Sequence, residues 1–297
     1  MSKELQLIEC PRDAMQGIHE FIDTDKKVAY INSLLKCGFH TLDCGSFVSP
    51  KAIPQMKDTA EVLDRLDDSG NTKLSVIVAN ERGANDAVNH SRVDILGFPF
   101  SVSDDFQKRN TNATREEALD RVKAVKELCV KHDKELLMYL SMAFGNPYNE
   151  IWDAEVVAEW TAKLSALDIQ LFMPSDTIGS SNKESISEVY SLLNTEFPKL
   201  HIGAHLHTTP DTWEEKVQAA WDNGCRRFDS AIKGLGGCPM AKDDLTGNMA
   251  TENVLSFLAN NQIQSGIDQN AFLESMQLAG RGYIKNSTKR SIHNLPD

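Results

Sequence analysis

Residues 201–232 read HIGAHLHTTPDTWEEKVQAAWDNGCRRFDSAI and contain the unit from which the fold can be predicted. Two short runs rich in apolar residues, 201–207 and 226–232, flank a longer segment with helical spacing. Short apolar runs of this kind are typical of β-strands, and the spacing between them is typical of an amphipathic helix. The stretch therefore predicts a strand, a helix and a second strand.

The same unit recurs along the whole chain. Further apolar runs occupy residues 4–10, 40–47, 73–79, 93–100, 135–144 and 169–176. Eight strands with seven or eight intervening helices, and no linker-like tract, fit an α/β fold of the closed (β/α)₈ TIM-barrel type better than an open sheet. The GxGxxG and GxxxxGK motifs common in open sheets are also absent from the sequence.

The chain is predicted to form one TIM-barrel catalytic domain over residues 1–297. Residues 262–297 form a C-terminal extension and tail, with an added helix over 270–283. Thr114, with Glu117 three residues later, predicts a capping box at the start of one of the longest helices.

Charge and composition exclude several classes of partner. The 297 residues include 31 basic and 43 acidic side chains, a net charge of −12, which argues against nucleic-acid or anionic-lipid binding. No apolar run approaches the roughly 18 residues of a membrane span, and the opening MSKELQLIE lacks the apolar centre of a signal peptide. A cytoplasmic or organelle-interior protein is expected. The six cysteines show no CxxC spacing and are expected to be free thiols.

In a TIM barrel the chemistry lies at the carboxyl ends of the strands. Polar and ionisable residues gather at the predicted strand ends, namely Arg12, Asp13, Asp43, Asp104, Asp105, Ser141, Asp176, Thr177, His205, His207 and Asp229. Packing alone does not explain this clustering, so the barrel mouth is the expected active site.

His205 and His207 alternate along a predicted strand, which turns both imidazoles to one side. Asp13 should face them, because the first and seventh strands both border the eighth. A lone histidine is more often a hydrogen-bonded core residue, but this pair with a carboxylate predicts a metal site. With one amide oxygen added, the set suits Mg²⁺, Mn²⁺ or Zn²⁺, and the lack of thiolates favours the harder ions Mg²⁺ and Mn²⁺.

Other residues at the mouth have two interpretations each. Arg12 either stabilises an enolate oxygen or forms a salt bridge with Asp43 or Asp176. Asp176 is either a base or metal-site partner, or a carboxylate that caps the next loop. Residues 108–110 (Lys-Arg-Asn) contact a phosphate group or are simply solvated.

Cys238 lies in the glycine-rich segment 234–239 (GLGGCP) after the eighth predicted strand. A flexible backbone there would carry its side chain over the site, although a thiol in an exposed loop is an equally valid interpretation.

Together these segments resemble the 3-hydroxy-3-methylglutaryl-CoA lyase family of the DRE-TIM metallolyase superfamily over nearly the whole chain. The resemblance is carried by 11–16 (PRDAMQ), 46–51 (SFVSPK), 54–56 (PQM), 176–179 (DTIG), 205–207 (HLH), 234–239 (GLGGCP) and 247–252 (GNMATE). It implies cleavage of 3-hydroxy-3-methylglutaryl-CoA, an acyl-CoA, to acetyl-CoA and acetoacetate, as in leucine degradation.

The resemblance also implies roles for individual residues. Asp13, His205, His207 and Asn248 would bind the divalent metal, Arg12 would stabilise the enolate, and Cys238 would protonate it. Asp13 or Asp176 would be the base, with Asp43 beside Arg12. The substrate-binding candidates are Gln16, Tyr139, Thr177, Lys108 and Asn110. A homodimer is expected, since barrels of this kind are often symmetric dimers.

The sequence departs from the family pattern at several positions. Ala14 and Met15 replace a usual Gly-Leu pair, Asp43 replaces a glutamate, Asn146 a cysteine and Thr208 an aspartate, and the segment from 238 to 248 is one residue longer. The shorter Asp43 is expected to lose its contact with Arg12 or to reach it through water. Two rival functions remain, a related metal-dependent aldolase or Claisen-type synthase and a barrel that binds acyl-CoA without turnover.

Overall fold

The predicted barrel is present in the computed structural model, which describes residues 4–237 and 246–282. The strands in chain order are β1 (Gln6–Glu9), β2 (Thr41–Ser46), β3 (Lys73–Ile77), β4 (Ile95–Ser101), β5 (Glu135–Ser141), β6 (Leu171–Pro174), β7 (His201–Ile202), β8 (His207–Thr208), β9 (Arg227–Ser230) and β10 (Gly247–Asn248).

Helices surround the sheet. They are α1 (Pro11–Gln16), α2 (Thr24–Leu35), α3 (Thr59–Asp64), α4 (Glu81–Val88), α5 (Asp104–Thr111), α6 (Arg115–Lys131), α7 (Ala154–Ser165), α8 (Lys183–Glu196), α9 (Trp213–Asp222), α10 (Thr251–Asn260) and α11 (Gln269–Gly282), with short 3₁₀ turns at Pro54–Met56 and Ile232–Gly234.

Eight of the strands form one parallel sheet in the order β7-β6-β5-β4-β3-β2-β1-β9. Ala204 closes the circle, since its N–H donates to the Arg227 carbonyl (2.8 Å) and its carbonyl accepts from the Asp229 N–H (2.9 Å). The last parallel strand, β9, therefore lies between β1 and the segment after β7, as the sequence predicted. This order brings Asp13 and His205 to one end of the barrel.

Alternation of side chains along the strands separates two apolar layers. Residues that point into the barrel form one cluster, made of Ile77, Ile95, Leu137, Tyr139, Leu171 and Met173. The larger cluster lies between the sheet and the helices and includes Ile31, Leu96, Phe98, Val122 and Phe172. The barrel is thus filled below its mouth, and its open end is left to polar residues.

The observed strands are mostly shorter than the predicted runs, and the difference is largest at the seventh. The run 201–207 was predicted as a single strand, but β7 ends at Ile202, and Ala204 and His205 make only isolated bridges to Phe228 and Ser175. His207 then turns away to pair with Asn248 in a two-stranded antiparallel sheet of β8 and β10. The regular ladder stops because the chain bends to reach this second partner.

The end of β5 also differs. The predicted run continued to Phe144, but the strand ends at Ser141 because Met142 has φ 60°, which takes the chain out of the extended region.

Two smaller predictions are confirmed. The Thr114 side chain accepts from the Glu117 N–H (3.1 Å), and the Glu117 carboxylate accepts from the Thr114 N–H (2.8 Å), which is the predicted capping box of α6. The added C-terminal helix is α11, which packs on α2 through a Ser275–Ser33 hydrogen bond of 2.9 Å. Within residues 4–237 and 246–282, no helix combines the length and apolar composition needed to cross a bilayer.

Candidate metal centre at the barrel mouth

Three side chains converge at the carboxyl ends of the strands. One ligand atom each from Asp13, His205 and His207 lies within 4.8 Å of the other two. Asp13 lies on α1, directly after β1, while both histidines follow β7. The predicted pairing of two imidazoles with a carboxylate is therefore present in the fold.

Asn248 joins the cluster because β8 and β10 pair antiparallel and place it opposite His207. Its amide nitrogen donates to Asp13 Oδ2 (2.7 Å) and to the Leu235 carbonyl (2.8 Å). Because both partners are acceptors, these two bonds identify the amide nitrogen and therefore also the amide oxygen. The oxygen Oδ1 is buried and, in the part of the chain that the structure describes, has no hydrogen-bond partner.

The tautomer of His207 is fixed in the same way. Its Nδ1 lies 3.1 Å from the Thr177 carbonyl, an acceptor, so Nδ1 carries the proton and Nε2 presents its lone pair. That Nε2 is buried and has no partner among the described residues. Asn248 Oδ1 and His207 Nε2 are thus two buried atoms with free lone pairs beside the carboxylate of Asp13. A divalent cation requires ligands of this kind, so the residues present fit a metal ion.

His205 is oriented by Asp229, whose Oδ2 lies 3.1 Å from His205 Nδ1. A carboxylate behind an imidazole is the arrangement that supports metal-binding histidines. Burial opposes the charged imidazole, but the hydrogen bond and charge of Asp229, with the charge of Asp13, raise the pKa of His205. Burial and the neighbouring His205 lower the pKa of His207 to about 4, so His207 is a neutral donor near pH 7.

A glycine allows the loop after β9 to lie against the cluster. Gly236 has φ +87°, and a Cβ at that position would lie 2.6 Å from the Asp13 carbonyl oxygen and 2.7 Å from Asn248 Nδ2. Only glycine fits this close approach. The glycine-rich motif thus brings the chain over Asp13 and Asn248 at this point.

Arg12 is held at the edge of the cluster by two carboxylates. Its Nε and Nη2 donate to Asp43 Oδ2 (2.9 and 2.5 Å), and its Nη1 donates to Asp13 Oδ1 (3.0 Å). The expectation that the shorter Asp43 loses this contact is wrong, because the guanidinium and Asp43 are both buried and meet directly. Burial, opposed by Arg12, raises the pKa of Asp43 to about 6.

Asp176 does not face the cluster. Its Oδ1 accepts from the Ser181 N–H (3.0 Å), and its Oδ2 accepts from the Ser181 hydroxyl (2.5 Å) and from Lys216 Nζ (2.8 Å). The residue is 1% exposed. These contacts use the carboxylate to hold the following loop, so the structure favours the loop-capping interpretation of Asp176 over the base.

The substrate-binding candidates fall into two groups. Gln16 donates to Asp13 Oδ1 (2.6 Å), Tyr139 lies edge-on to the His205 ring (centroids 5.6 Å apart), and Thr177 contacts His207, so all three border the cluster. Lys108 and Asn110 are exposed on α5, whereas the cluster is buried. The neighbouring Arg109 lies over the Tyr148 ring at 4.9 Å.

Cys238 and the longer segment that follows it lie outside the described residues. The other departures from the family pattern have positions that shape a loop or fill the interior. The Asn146 oxygen accepts from the Tyr148 and Glu150 N–H groups (3.0 and 3.2 Å) and shapes the loop after β5, and Thr208 lies buried in β8. Ala14 and Met15 are buried on α1.

Two supporting residues were not identified as site residues from the sequence. The sequence marks Asp229 only as one of the polar strand ends, and its contact with His205 Nδ1 depends on how β9 lies beside the segment after β7. Lys216 belongs to a helical segment where a lysine is ordinarily solvated, and no sequence pattern marks it as buried. Its contacts depend on how α9 packs against β8.

Comparisons with known proteins agree with this geometry. The HMGL-like family model matches residues 5–278. A 3-hydroxy-3-isohexenylglutaryl-CoA/hydroxymethylglutaryl-CoA lyase from Pseudomonas aeruginosa is 30% identical over 278 residues, which are 93% of this chain and 92% of that protein. A hydroxymethylglutaryl-CoA lyase from Bacillus subtilis is 31% identical over 257 residues, 86% of this chain and 85% of its own.

A solved structure shows the same fold. An HMG-CoA lyase from Acinetobacter baumannii, in complex with coenzyme A and 3-methylmalate, has a TM-score of 0.86 and 27% identity, and the match covers 100% of both chains.

Proposed function

Because the chain belongs to the HMGL-like family, we propose that it is a divalent-metal-dependent carbon–carbon lyase that cleaves 3-hydroxy-3-methylglutaryl-CoA to acetyl-CoA and acetoacetate. The observation that carries the proposal is the convergence of Asp13, His205 and His207 within 4.8 Å at the barrel mouth. The named relatives are lyases of the same substrate class.

Asp13, His205, His207 and Asn248 are the residues that would hold the ion, with Mg²⁺ or Mn²⁺ favoured and Zn²⁺ possible. The ion, when bound, supplies a Lewis acid for the substrate's alcohol and carboxylate oxygens. The four donors are two nitrogens and two oxygens, without a thiolate, which is the basis for favouring the harder ions. Asp229 and the Thr177 carbonyl hold the two imidazoles in the required tautomers.

We assign removal of the proton of the tertiary hydroxyl to Asp13. Of the two sequence candidates for the base, it faces the cluster, whereas both oxygens of Asp176 hold the next loop. Removal of that proton lets the carbon–carbon bond break, and the bonding electrons pass to the thioester as an enolate.

Arg12 would stabilise the enolate oxygen. Its guanidinium is always charged and is fixed in position by Asp43 and Asp13, so it needs no reorganisation as negative charge develops. Asp43 serves by holding Arg12. Protonation of the enolate carbon then gives acetyl-CoA, and we assign that proton to the Cys238 thiol, the role that the family resemblance implies for it.

Substrate binding is proposed at two places. Gln16, Tyr139 and Thr177 line the buried cluster and would contact the acyl group. Lys108 and Asn110, with Arg109, would contact the CoA phosphates from the last turn of α5, where Lys108 and Arg109 supply positive charge on a chain of net charge −12. We also propose a cytoplasmic homodimer, which light scattering on the purified protein tests.

The deciding experiment measures acetoacetate release from 3-hydroxy-3-methylglutaryl-CoA by chelator-treated protein, before and after addition of Mn²⁺ or Mg²⁺. Activity that depends on added metal supports the proposal. CoA binding without product under either metal would instead identify a non-catalytic acyl-CoA-binding barrel. A panel of 3-hydroxy acyl-CoA thioesters and 4-hydroxy-2-oxoacids separates the lyase from an aldolase or a Claisen-type synthase.

A further inference from the structure

Lys216 is a buried lysine that reaches from α9 to the carboxyl ends of the strands. Its Nζ donates to Asp176 Oδ2 (2.8 Å), to the His207 carbonyl (2.9 Å) and to the Gly179 carbonyl (3.2 Å). The three bonds use all three ammonium hydrogens. The Lys216 side chain is 2% exposed and that of Asp176 is 0% exposed. An ion pair buried to this degree is costly to desolvate, so stability alone does not explain its presence.

The oxygens that Lys216 contacts belong to the two segments that set the position of His207. One is the backbone of His207 itself. The other is the loop 176–181, in which Asp176 also accepts from the N–H and hydroxyl of Ser181. The Thr177 carbonyl in this loop is the acceptor for His207 Nδ1. A single ammonium group therefore joins the main chain of His207 to the loop that fixes the tautomer of its imidazole.

The same loop also contacts the segment that carries Asn248. Gly179 has φ +73°, and a Cβ there would lie 2.5 Å from Thr246 Cγ2, two residues before Asn248. Displacement of the loop 176–181 would thus disturb both His207 and Asn248. The ion pair lies directly behind this loop.

We infer that Lys216 is a positioning residue for the metal-binding His207, a role that rests on the proposed metal site. It holds the His207 carbonyl and the loop 176–181 in one arrangement, and Asp176 supplies the negative charge that allows the ammonium to be buried. Loss of Lys216 would let the Thr177 carbonyl move, and His207 would then lose the hydrogen bond that keeps its proton on Nδ1.

The first test uses the double variant Lys216→Met/Asp176→Asn, which removes both buried charges together and so avoids an unpaired one. Mn²⁺ binding to the chelator-treated protein is measured from the electron paramagnetic resonance signal of free Mn²⁺. We expect the Kd for Mn²⁺ to rise about 10- to 100-fold, the usual effect of removing a group that orients a metal ligand. The matched control is Lys163→Met/Glu159→Gln, which removes an exposed ion pair on α7 and should leave the Kd unchanged.

The second test reads the histidine directly and without metal. ¹⁵N spectra of histidine-labelled protein distinguish the Nδ1–H and Nε2–H tautomers, and His207→Gln assigns the resonance. The wild type should show His207 as Nδ1–H, and the double variant should show a mixture. A folded double variant with one Nδ1–H tautomer and a Kd for Mn²⁺ within twofold of wild type would overturn the inference.

Lys216→Arg is the second variant, in case the double variant does not fold. It keeps the charge that Asp176 requires, but a planar guanidinium cannot place its donors on the same three oxygens, so weaker Mn²⁺ binding and a tautomer mixture are again expected. If wild-type protein binds no Mn²⁺, the proposed metal site fails, while the tautomer of His207 in metal-free protein still decides the role of Lys216.

Discussion

Asp229 and the Thr177 carbonyl have the same task on two neighbouring histidines. Each accepts the Nδ1 proton, from His205 and His207 respectively, and so turns the Nε2 lone pair toward Asp13. Asp229 adds a negative charge that a carbonyl lacks, which makes His205 the more basic of the pair. The two imidazoles therefore differ in electronic character although they share one site.

Replacement of Asp229 by asparagine tests this role. The amide keeps the size of the side chain but removes the charge, so His205 becomes a weaker ligand, and we expect the Kd for Mn²⁺ to rise about 10- to 100-fold. Isothermal titration of chelator-treated protein with Mn²⁺ measures it. Asp222→Asn, at an exposed position of α9, makes the same charge change as a control. Equal affinities of the wild type and Asp229→Asn would contradict the assignment.

Arg12→Gln tests whether the guanidinium acts on charge that develops in the transition state. We expect kcat to fall about 10³- to 10⁵-fold with little change in KM, because such an interaction is absent in the ground state. Steady-state kinetics on 3-hydroxy-3-methylglutaryl-CoA measure both constants, and Mn²⁺ binding is followed in parallel to verify that Asp13 is still in place. Arg65→Gln, which removes an exposed ion pair, is the control. A change confined to KM would make Arg12 a binding residue.

At the scale of the elements, Glu9 of β1 connects both ends of the segment that carries Asn248. Its Oε1 accepts from the Ile232 N–H (2.8 Å), and its Oε2 accepts from the Thr251 hydroxyl (2.5 Å) at the start of α10. The side chain is fully buried. Both ends of the segment 232–251 are therefore hydrogen-bonded to one carboxyl group of the first strand.

The burial of Glu9 makes the free energy of unfolding depend on pH. Desolvation, partly offset by the Thr251 and Ile232 hydrogen bonds, raises the pKa of Glu9 from 4.5 to about 8. Between these values the folded state holds a proton that the unfolded state has lost. The Glu9 contribution to the free energy of unfolding is thus largest below pH 4.5, declines as the pH rises toward about 8, and is constant above it.

Glu9→Gln, which cannot ionise, should remove this decline. We expect the free energy of unfolding of the wild type to fall, relative to that of the variant, as the pH rises from about 5 to about 8. Urea denaturation followed by tryptophan fluorescence measures both free energies. Glu188→Gln, exposed on α8, should parallel the wild type throughout. Parallel curves for the wild type and Glu9→Gln would show that Glu9 is ionised in the folded protein.

At the scale of the whole molecule, the barrel was predictable because each strand–helix unit has its own apolar periodicity. The convergence of Asp13, His205 and His207 followed from closure of the sheet, since closure makes the first and seventh strands neighbours of the eighth. The bend after Ile202 was not predictable, because it depends on the pairing of His207 with Asn248, 41 residues further along the chain.

The supporting residues were harder to predict than the ligands, for a physical reason. A ligand is marked by its residue type at a strand end, whereas Lys216 and Ser181 act through tertiary contacts that no local pattern encodes. Asp176 shows that residue type at a strand end can also suggest the wrong role. Its position at a strand end suggested a base, and only the donors that surround it identify it as the partner of Lys216.

The metal site also joins distant parts of the chain, which has a consequence for stability. His205 and His207 follow β7 and Asn248 follows β9, the two edges of the sheet that meet at closure, while Asp13 follows the neighbouring β1. An ion held by all four residues therefore links these two edges. The unfolded chain does not hold these groups together. Binding to the folded state alone stabilises it by RT ln(1 + [M]/Kd), about 2.7 kcal/mol when the metal is at about 100 times Kd.

Calorimetry should therefore show a higher Tm with Mn²⁺ than with chelator, by about 5 °C for a chain of this size. His205→Ala removes a ligand but leaves in place the backbone bridge between Ala204 and Phe228 of β9, so its Tm should respond little to the same Mn²⁺ concentration. Magnesium should act in the same direction as manganese, since both are oxygen-preferring ions. A metal-induced rise of Tm that is equal in the wild type and in His205→Ala would mean that the ion stabilises the barrel from somewhere other than its mouth.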